Sequence, residues 1–290
     1  MKKINIFCFG FGQVAESFIK KLKLEKIDFE LNTTSREKTK DKIFEDISYK
    51  SFNLSETMFD VELLEKLKYA DYVLISIAPV NGEDIVLKHL SKNFKFLNLK
   101  WITYLSATSV YGNHEGNWVD ETSATNPTSL NGKNRLNAEK AWIEIRKNQG
   151  LPIQIFRLSG IYSNNFNILK RLKSGEAKII NKKNHFFSRI HVDDIANVLH
   201  KSMTNFKNGE IYNISDDKPA SNEELIMYGI KLLGIKKPEI LEVEDIKSEM
   251  LKNFYKDSKK VSNKKMKNHF SYKLKYPSYI EGLNHINHNI

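Results

Sequence analysis

The chain has 290 residues, 40% hydrophobic and 28% charged, enough to bury a full core as one large domain or a domain and a half. No apolar run approaches the roughly 18 residues of a membrane span, and the single cysteine, Cys8, excludes an intramolecular disulfide or a zinc site built from thiolates. A net charge of +11 raises the question of nucleic acid, yet only six of the 46 basic residues are arginine and the lysines are scattered along the chain.

The first element is an apolar strand over residues 4–9. It runs into Gly10-Phe11-Gly12-Gln13-Val14-Ala15, and an amphipathic helix follows over 16–24. Gly-x-Gly-x-x-Ala at a strand-to-helix junction makes a diphosphate pocket. Gly10 permits the tight turn, and Gly12 lacks a Cβ, so the backbone can approach a pyrophosphate. Ala15 lets the helix lie close to the sheet, with its N–H groups and positive dipole end toward the anion. The motif predicts a dinucleotide site at Gly10, Gly12, Gln13, Val14 and Ala15. Strands follow at 29–34, 49–53, 72–78, 101–106 and 152–157, with helices at 63–67, 84–92 and 131–147. Buried runs between helices indicate a parallel sheet covered on both faces. The predicted class is α/β, a Rossmann-type doubly wound parallel sheet.

After Arg157 the rhythm changes. Residues 159–188 read as loop and short helix, 189–203 as a strand edge and helix, and 210–214 as a strand. The tail beyond 216 carries two or three helices. This predicts an NAD(P)-binding Rossmann domain at 1–158 plus 189–215. A smaller, discontinuous α/β lobe at 159–188 plus 216–290 is expected to bind substrate.

Five stretches in order carry a family resemblance. Beside the glycine turn they are Leu105-Ser106-Ala107-Thr108-Ser109-Val110-Tyr111-Gly112, Asn131 to Glu139, Arg157-Leu158-Ser159-Gly160-Ile161-Tyr162, and Arg189-Ile190-His191-Val192-Asp193-Asp194 with the strand at 210–214. The chain resembles the extended short-chain dehydrogenase/reductases, the NAD-dependent epimerase/dehydratase family, in its atypical branch. The resemblance implies a Ser or Thr, a tyrosine acid/base and a lysine four residues later. Those positions hold Ala107, Asn131 and Arg135. Asn131 has no titratable proton and Arg135 does not deprotonate at working pH, so the usual relay is absent. The literal Tyr255…Lys259 match falls in the C-terminal lobe and is coincidental in so lysine-rich a chain. Tyr111, Tyr162 and Arg135 are left as candidate catalytic residues, whereas His191 reads as a residue that fixes backbone.

The resemblance also places Asn53 and Leu54 beside the adenine, and Ile77, Ala78 and Pro79 along the other side of the cofactor. Arg135, Leu158 and Ser159 fall at its nicotinamide end. At the end of the second strand, Thr34, Ser35 and Arg36 replace the acidic residue that binds the ribose hydroxyls of NAD. Small hydroxyls followed by arginine suit a 2′-phosphate, so NADP is expected in preference to NAD. No metal is expected. The partner is a small-molecule substrate, with neither nucleic acid nor membrane, and the chain is a monomer or a homodimer. The lysine-dense run at 252–267 reads as a solvated helical face. With no uninterrupted apolar block near Met1, the expected location is cytoplasmic. Two functions stay open. One is an oxidoreductase or epimerase acting on a small hydroxylated or carbonyl metabolite, such as a nucleotide sugar, with a non-standard acid/base. The other is a catalytically silent dinucleotide-binding redox sensor or regulatory protein.

Overall fold

The computed structural model describes residues 3–288. Its first half contains β1 (Ile4–Phe9), α1 (Gln13–Leu24), β2 (Phe29–Ser35), β3 (Lys40–Phe44), β4 (Ile47–Asn53), α2 (Glu62–Leu67), β5 (Tyr72–Ile75), α3 (Ile85–Leu90) and β6 (Trp101–Ala107). Next come β7 (Trp118–Val119), α4 (Leu130–Gln149), β8 (Ile153–Leu158), β9 (Gly160–Tyr162), α5 (Ile168–Lys173), β10 (Ile179–Asn181), β11 (Arg189–His191) and α6 (Val192–Thr204). The chain finishes with β12 (Ile211–Ile214), α7 (Asn222–Leu233), β13 (Ile240–Glu242), α8 (Glu249–Lys256), β14 (Lys260–Val261), α9 (Lys264–Phe270) and α10 (Tyr279–His288).

Eight strands form the main sheet, in the order β12-β8-β6-β5-β1-β2-β4-β3. The pairs β1–β2, β1–β5, β5–β6 and β2–β4 are parallel, and β3 runs antiparallel to β4 at the sheet edge. Strand order reverses beside β1, which in an open α/β sheet is where ligands bind, beyond the carboxyl ends of the strands. Continuous apolar runs fit strands covered on both faces. Phe7, Phe9, Val73, Ile75, Ile102 and Tyr104 are buried together with Leu63, Leu67, Val86, Leu90, Phe94 and Trp142 from the covering segments. Cys8 is fully buried, and burial pushes its thiol well above the ordinary range, so it is inert at neutral pH.

The chain divides into two compact units of nearly equal length. The first holds residues 1–106, 134–157 and 195–211; the second holds 107–133, 158–194 and 212–290. The expected boundaries gave 107–133, 158, 189–194 and 212–215 to the first domain and made the second one smaller. The difference has a backbone cause. β7 pairs in parallel with β14, and β11 with β9. The amides of His114 and Gly116 both donate to the Ser258 carbonyl at 3.0 Å, and Ser262 N donates to Val119 O at 2.8 Å. The 107–133 excursion is thereby laced to the C-terminal third of the chain. The second unit has its own core, in which Leu169 and Leu172 of α5, Ile226 of α7 and Leu283 and Ile286 of α10 pack together. Its α7 begins on a reciprocal cap, with Glu224 N donating to Ser221 Oγ at 3.0 Å and Ser221 N to Glu224 Oε2 at 2.7 Å.

Candidate functional site

Between Phe9 and Gln13 the whole link from β1 to α1 is Gly10-Phe11-Gly12. Gly10 has φ +82°, in the left-handed region, and a Cβ there would lie 2.8 Å from Ser76 Oγ and 2.9 Å from Ile77 Cγ1. No other residue fits that position. The Gly10 N–H donates to Thr34 Oγ1 at 3.0 Å, and Ser76 Oγ lies 3.0 and 3.1 Å from the carbonyls of Phe9 and Gly10. The turn is thus fastened to the ends of β2 and β5. Gly12 is different. Its φ of −107° is ordinary, and a Cβ there would meet nothing within 4 Å. Nothing inside the chain requires a glycine here, and its bare backbone stands open on that side. Val14 and Ala15 are buried against the sheet while Gly12 and Gln13 are exposed, and no side chain caps the start of α1.

The ends of β2 and β4 meet beside this turn. Ser35 stands in register with Asn53, and Leu54 N donates to Ser35 O at 2.8 Å. Asn53 Nδ2 donates to the carbonyls of Arg36 and Glu37 at 3.1 and 2.9 Å, which fixes the link that leaves β2. Thr34, Ser35, Arg36, Asn53 and Leu54 are therefore brought together. The next strand, β3, lay outside the predicted elements. It adds Lys40 and Lys42, both paired with Glu37 Oε2, at 2.8 and 3.1 Å. These two lysines draw the Glu37 carboxyl down to about 2. Phe44 of β3 and Tyr49 of β4 hold the ring of Phe11, with centroids 5.2 and 5.1 Å away.

On the opposite side of β1, Ile77 lies against Gly10, with Ala78 exposed and Pro79 half-buried after it. Arg135, on α4, donates from Nη1 to the Leu105 carbonyl at 2.6 Å, near the end of β6. Its guanidinium lies beside the buried Tyr104 hydroxyl, whose pKa burial raises despite that neighbour. Asp84 caps α3 by accepting from Val86 N at 2.9 Å and Leu87 N at 3.1 Å, and it also accepts from Trp142 Nε1 at 2.8 Å. Burial raises the Asp84 carboxyl, opposed first by its hydrogen bonds from Leu87 N, Trp142 and Val86 N and then by Arg135. Below this lies a buried pair: Arg157 donates from Nε to Glu139 Oε1 at 3.0 Å and from Nη2 to Oε2 at 2.7 Å.

Other candidate residues belong to the second unit. Tyr111 is fully buried, and its hydroxyl donates to Asn213 Oδ1 at 2.7 Å. Tyr162 is buried too, with its hydroxyl bonded to the Ser278 carbonyl at 3.3 Å. Burial raises its pKa far out of the working range, and Asp216 and Asp194 add to this. These placements fit packing better than proton transfer, and they count against the catalytic expectation for both tyrosines. Leu158 and Ser159 are buried in the second unit, where Ser159 N donates to Ile214 O at 3.0 Å. Ala107 ends β6, and Asn131, exposed in the first turn of α4, precedes Arg135 by one helical turn.

The family model for the NAD dependent epimerase/dehydratase family matches residues 78–215. A solved protein described as functionally unknown and conserved, from Silicibacter pomeroyi DSS, is 31% identical over 98% of each chain, with a TM-score of 0.86. The chain belongs to the NAD dependent epimerase/dehydratase family. UDP-glucuronic acid 4-epimerase from Bacillus cereus, solved with NAD, shares the fold at 17% identity, covering 98% of this chain and 96% of its own with a TM-score of 0.78. dTDP-glucose 4,6-dehydratase from Bacillus anthracis str. Ames, also solved with NAD, matches at 19% identity with the same coverages and TM-score. No curated protein matches the sequence.

Membership in this epimerase/dehydratase family brings a nicotinamide dinucleotide as cofactor, and the residues present fit one. The open face of Gly12, the fastened Gly10 and the α1 start without a side-chain cap are features that a diphosphate would fit. Among the described residues, no helix is long and apolar enough to cross a membrane, and no group of three or more His, Cys, Asp or Glu could hold a metal. Lys40 and Lys42 were not among the expected site residues, because the strand that carries them was itself not predicted. Tyr49, Asp84 and Tyr104 lie in predicted elements, but nothing in the sequence set them apart from packing and capping residues.

His191 opens a testable point. It is 2% exposed, between the rings of Tyr162 and Tyr276 at 5.0 and 4.2 Å, and its Nδ1 accepts from Asp193 N at 3.2 Å. The ring proton therefore sits on Nε2. Burial lowers its pKa to about 4, with Asp193 opposing and Lys275 adding to the shift. The folded value lies below the unfolded value of about 6.5, so protonation favours unfolding. The stability this neutral ring allows is complete above that value and is lost as pH falls toward 4. Imidazole ¹⁵N spectra at pH 5.5 are expected to show a neutral His191; a protonated ring in the folded protein at that pH contradicts this placement.

Proposed function

We propose that the chain is an NADP-preferring oxidoreductase or epimerase acting on a small hydroxylated or carbonyl metabolite, with nucleotide sugars as one candidate class. The observation that carries this reading is the basic, carboxylate-poor end of β2. Ser35 and Arg36 stand where an acidic residue would bind the ribose hydroxyls, and the nearby acid, Glu37, is already paired with Lys40 and Lys42. In this reading the turn Gly10–Ala15 and the start of α1 hold the diphosphate, and Arg36 faces the 2′-phosphate. Asn53 and Leu54 shape the adenine side, and Ile77, Ala78 and Pro79 line the opposite wall. Arg135 keeps one of its N–H donors on Leu105 and offers its charge to the nicotinamide ribose. Bound there, the nicotinamide supplies hydride exchange. Neither Asn131 nor Arg135 can supply the accompanying proton.

That last point, with the internal bonds of Tyr111 and Tyr162, favours a second reading: a catalytically silent dinucleotide sensor. The two readings part in one experiment. The protein is mixed with NADPH and a panel of aldehydes, ketones and nucleotide sugars while nicotinamide absorbance is followed. Turnover of NADPH with any member of the panel supports an enzyme with a relocated acid. Saturable NADPH binding without turnover across the panel overturns the enzyme and leaves the sensor.

A further inference from the structure

The link between β2 and β4 is an antiparallel strand, and this decides which side chains stand beside the glycine turn. β3 runs back along β4 with Lys40 opposite Ser51, Lys42 opposite Tyr49 and Phe44 opposite Ile47. Side chains alternate along a strand, so Lys40, Lys42 and Phe44 share one face. Phe44 on that face touches Phe11, the residue between Gly10 and Gly12, at 5.2 Å between ring centroids. The two lysines therefore rise on the same side as Phe11 of the glycine turn, and both reach Glu37, the residue after Arg36. Both are already occupied. Glu37 Oε2 bonds Lys40 Nζ at 2.8 Å and Lys42 Nζ at 3.1 Å, and the Glu37 backbone is held by Asn53.

A single carboxylate oxygen shared by two ammonium groups is the arrangement a phosphate oxygen would adopt there. We propose that Lys40 and Lys42 are the receptors for the 2′-phosphate of NADP and that Glu37 is a tethered carboxylate holding their place until the phosphate displaces it. The proposal rests on the NADP reading given above and adds the competing residue to it. A phosphate monoester carries about −1.5 to −2 charges near pH 7, against −1 for a carboxylate, and offers three acceptor oxygens. It outcompetes Glu37 for two cations. The ribose 2′-hydroxyl of NAD carries no charge and leaves the Glu37 pair intact. Glu37 thus sets a threshold that only the phosphorylated cofactor passes. The exposure of Glu37, 59%, lets its side chain swing into solvent at small cost.

Titrations of the full chain with NADPH and with NADH, at about 50 mM salt to limit screening, test this. Glu37→Gln is expected to tighten NADPH by about fivefold and to leave NADH within about twofold, on the scale of exposed ion pairs. Lys40→Ala/Lys42→Ala is expected to weaken NADPH about tenfold with NADH again unchanged. Melting temperatures close to wild type would show that these exposed variants fold. Unchanged NADPH affinity in Glu37→Gln overturns the place-holding role. Weakened NADH in that variant also overturns it, because it makes Glu37 a ribose ligand. Equal losses for both cofactors in the double lysine variant reduce the lysines to general charge and overturn their assignment. A wild-type chain that prefers NADH defeats the NADP reading itself. A wild-type chain that prefers NADPH, with Glu37→Gln indifferent, defeats only the inference made here.

Discussion

Gly12→Val is expected to abolish dinucleotide binding while leaving the protein folded. At Gly12 the backbone has φ −107° and ψ −171°, extended values that a β-branched residue adopts readily, and a Cβ would meet nothing within 4 Å. The fold therefore loses little. Valine is a poorer N-cap than glycine, a penalty of about 1 kcal/mol or less, or a few degrees in melting temperature. The added isopropyl group, however, stands where a pyrophosphate must come within contact of bare backbone. A loss of at least about 100-fold in NADPH affinity is expected, equivalent to about 2.7 kcal/mol. Gly10→Ala is a useful contrast. Its left-handed φ and the close Ser76 and Ile77 atoms make that substitution damage folding and binding together. Calorimetry and thermal melts on the two variants separate a residue kept for the ligand from one kept for the chain. Unchanged NADPH affinity in Gly12→Val would mean that the turn holds no diphosphate.

The largest stability effect is expected at Glu139 and Arg157. Their side chains are 1% and 5% exposed, and the guanidinium grips both carboxylate oxygens. Removing one partner leaves a charge buried without its counterion. Arg157→Met is expected to cost about 3–5 kcal/mol, a fall of roughly 6–20 °C in melting temperature for a chain of this size. Replacing both, as Glu139→Leu/Arg157→Met, is expected to recover most of the loss, because the desolvation cost of two ions disappears with their attraction. Chemical denaturation of the three proteins measures this directly. A single variant as stable as wild type would show that the pair carries no net constraint, and a double variant worse than either single one would point to packing rather than charge.

Both predictions concern residues visible in the sequence, yet only one had a legible role there. The glycine turn could be read because its three small residues answer a geometric demand that few other residues meet. Strands β1, β5, β6 and β8 were legible as largely apolar runs, and the family through motifs in fixed order. The β3–β4 hairpin was not legible, for a specific reason. Its two-residue turn is Glu45-Asp46, with φ +49° and +66°, conformations usually signalled by Asn-Gly or Asp-Gly. Two acidic residues at those angles send no such signal, and Lys40 to Phe44 is too polar to announce a strand. Helix α4 misled differently. The sequence reads as amphipathic, but its inward stripe is partly polar, because Arg135, Glu139 and Trp142 each reach a bonding partner on β6, on β8 or at the cap of α3. The limits of the second unit were hidden as well. Short parallel pairs such as β7–β14 join segments about 140 residues apart, and no local pattern encodes that pairing.

The measurement that bears most directly on the account is a calorimetric titration of the purified wild-type chain with NADPH and then with NADH. The predicted result is saturable heat with each, with NADPH bound about tenfold or more tightly, equivalent to about 1.4 kcal/mol. No heat with either nucleotide would contradict the assignment of the Gly10–Ala15 turn, and with it the function proposed for this chain.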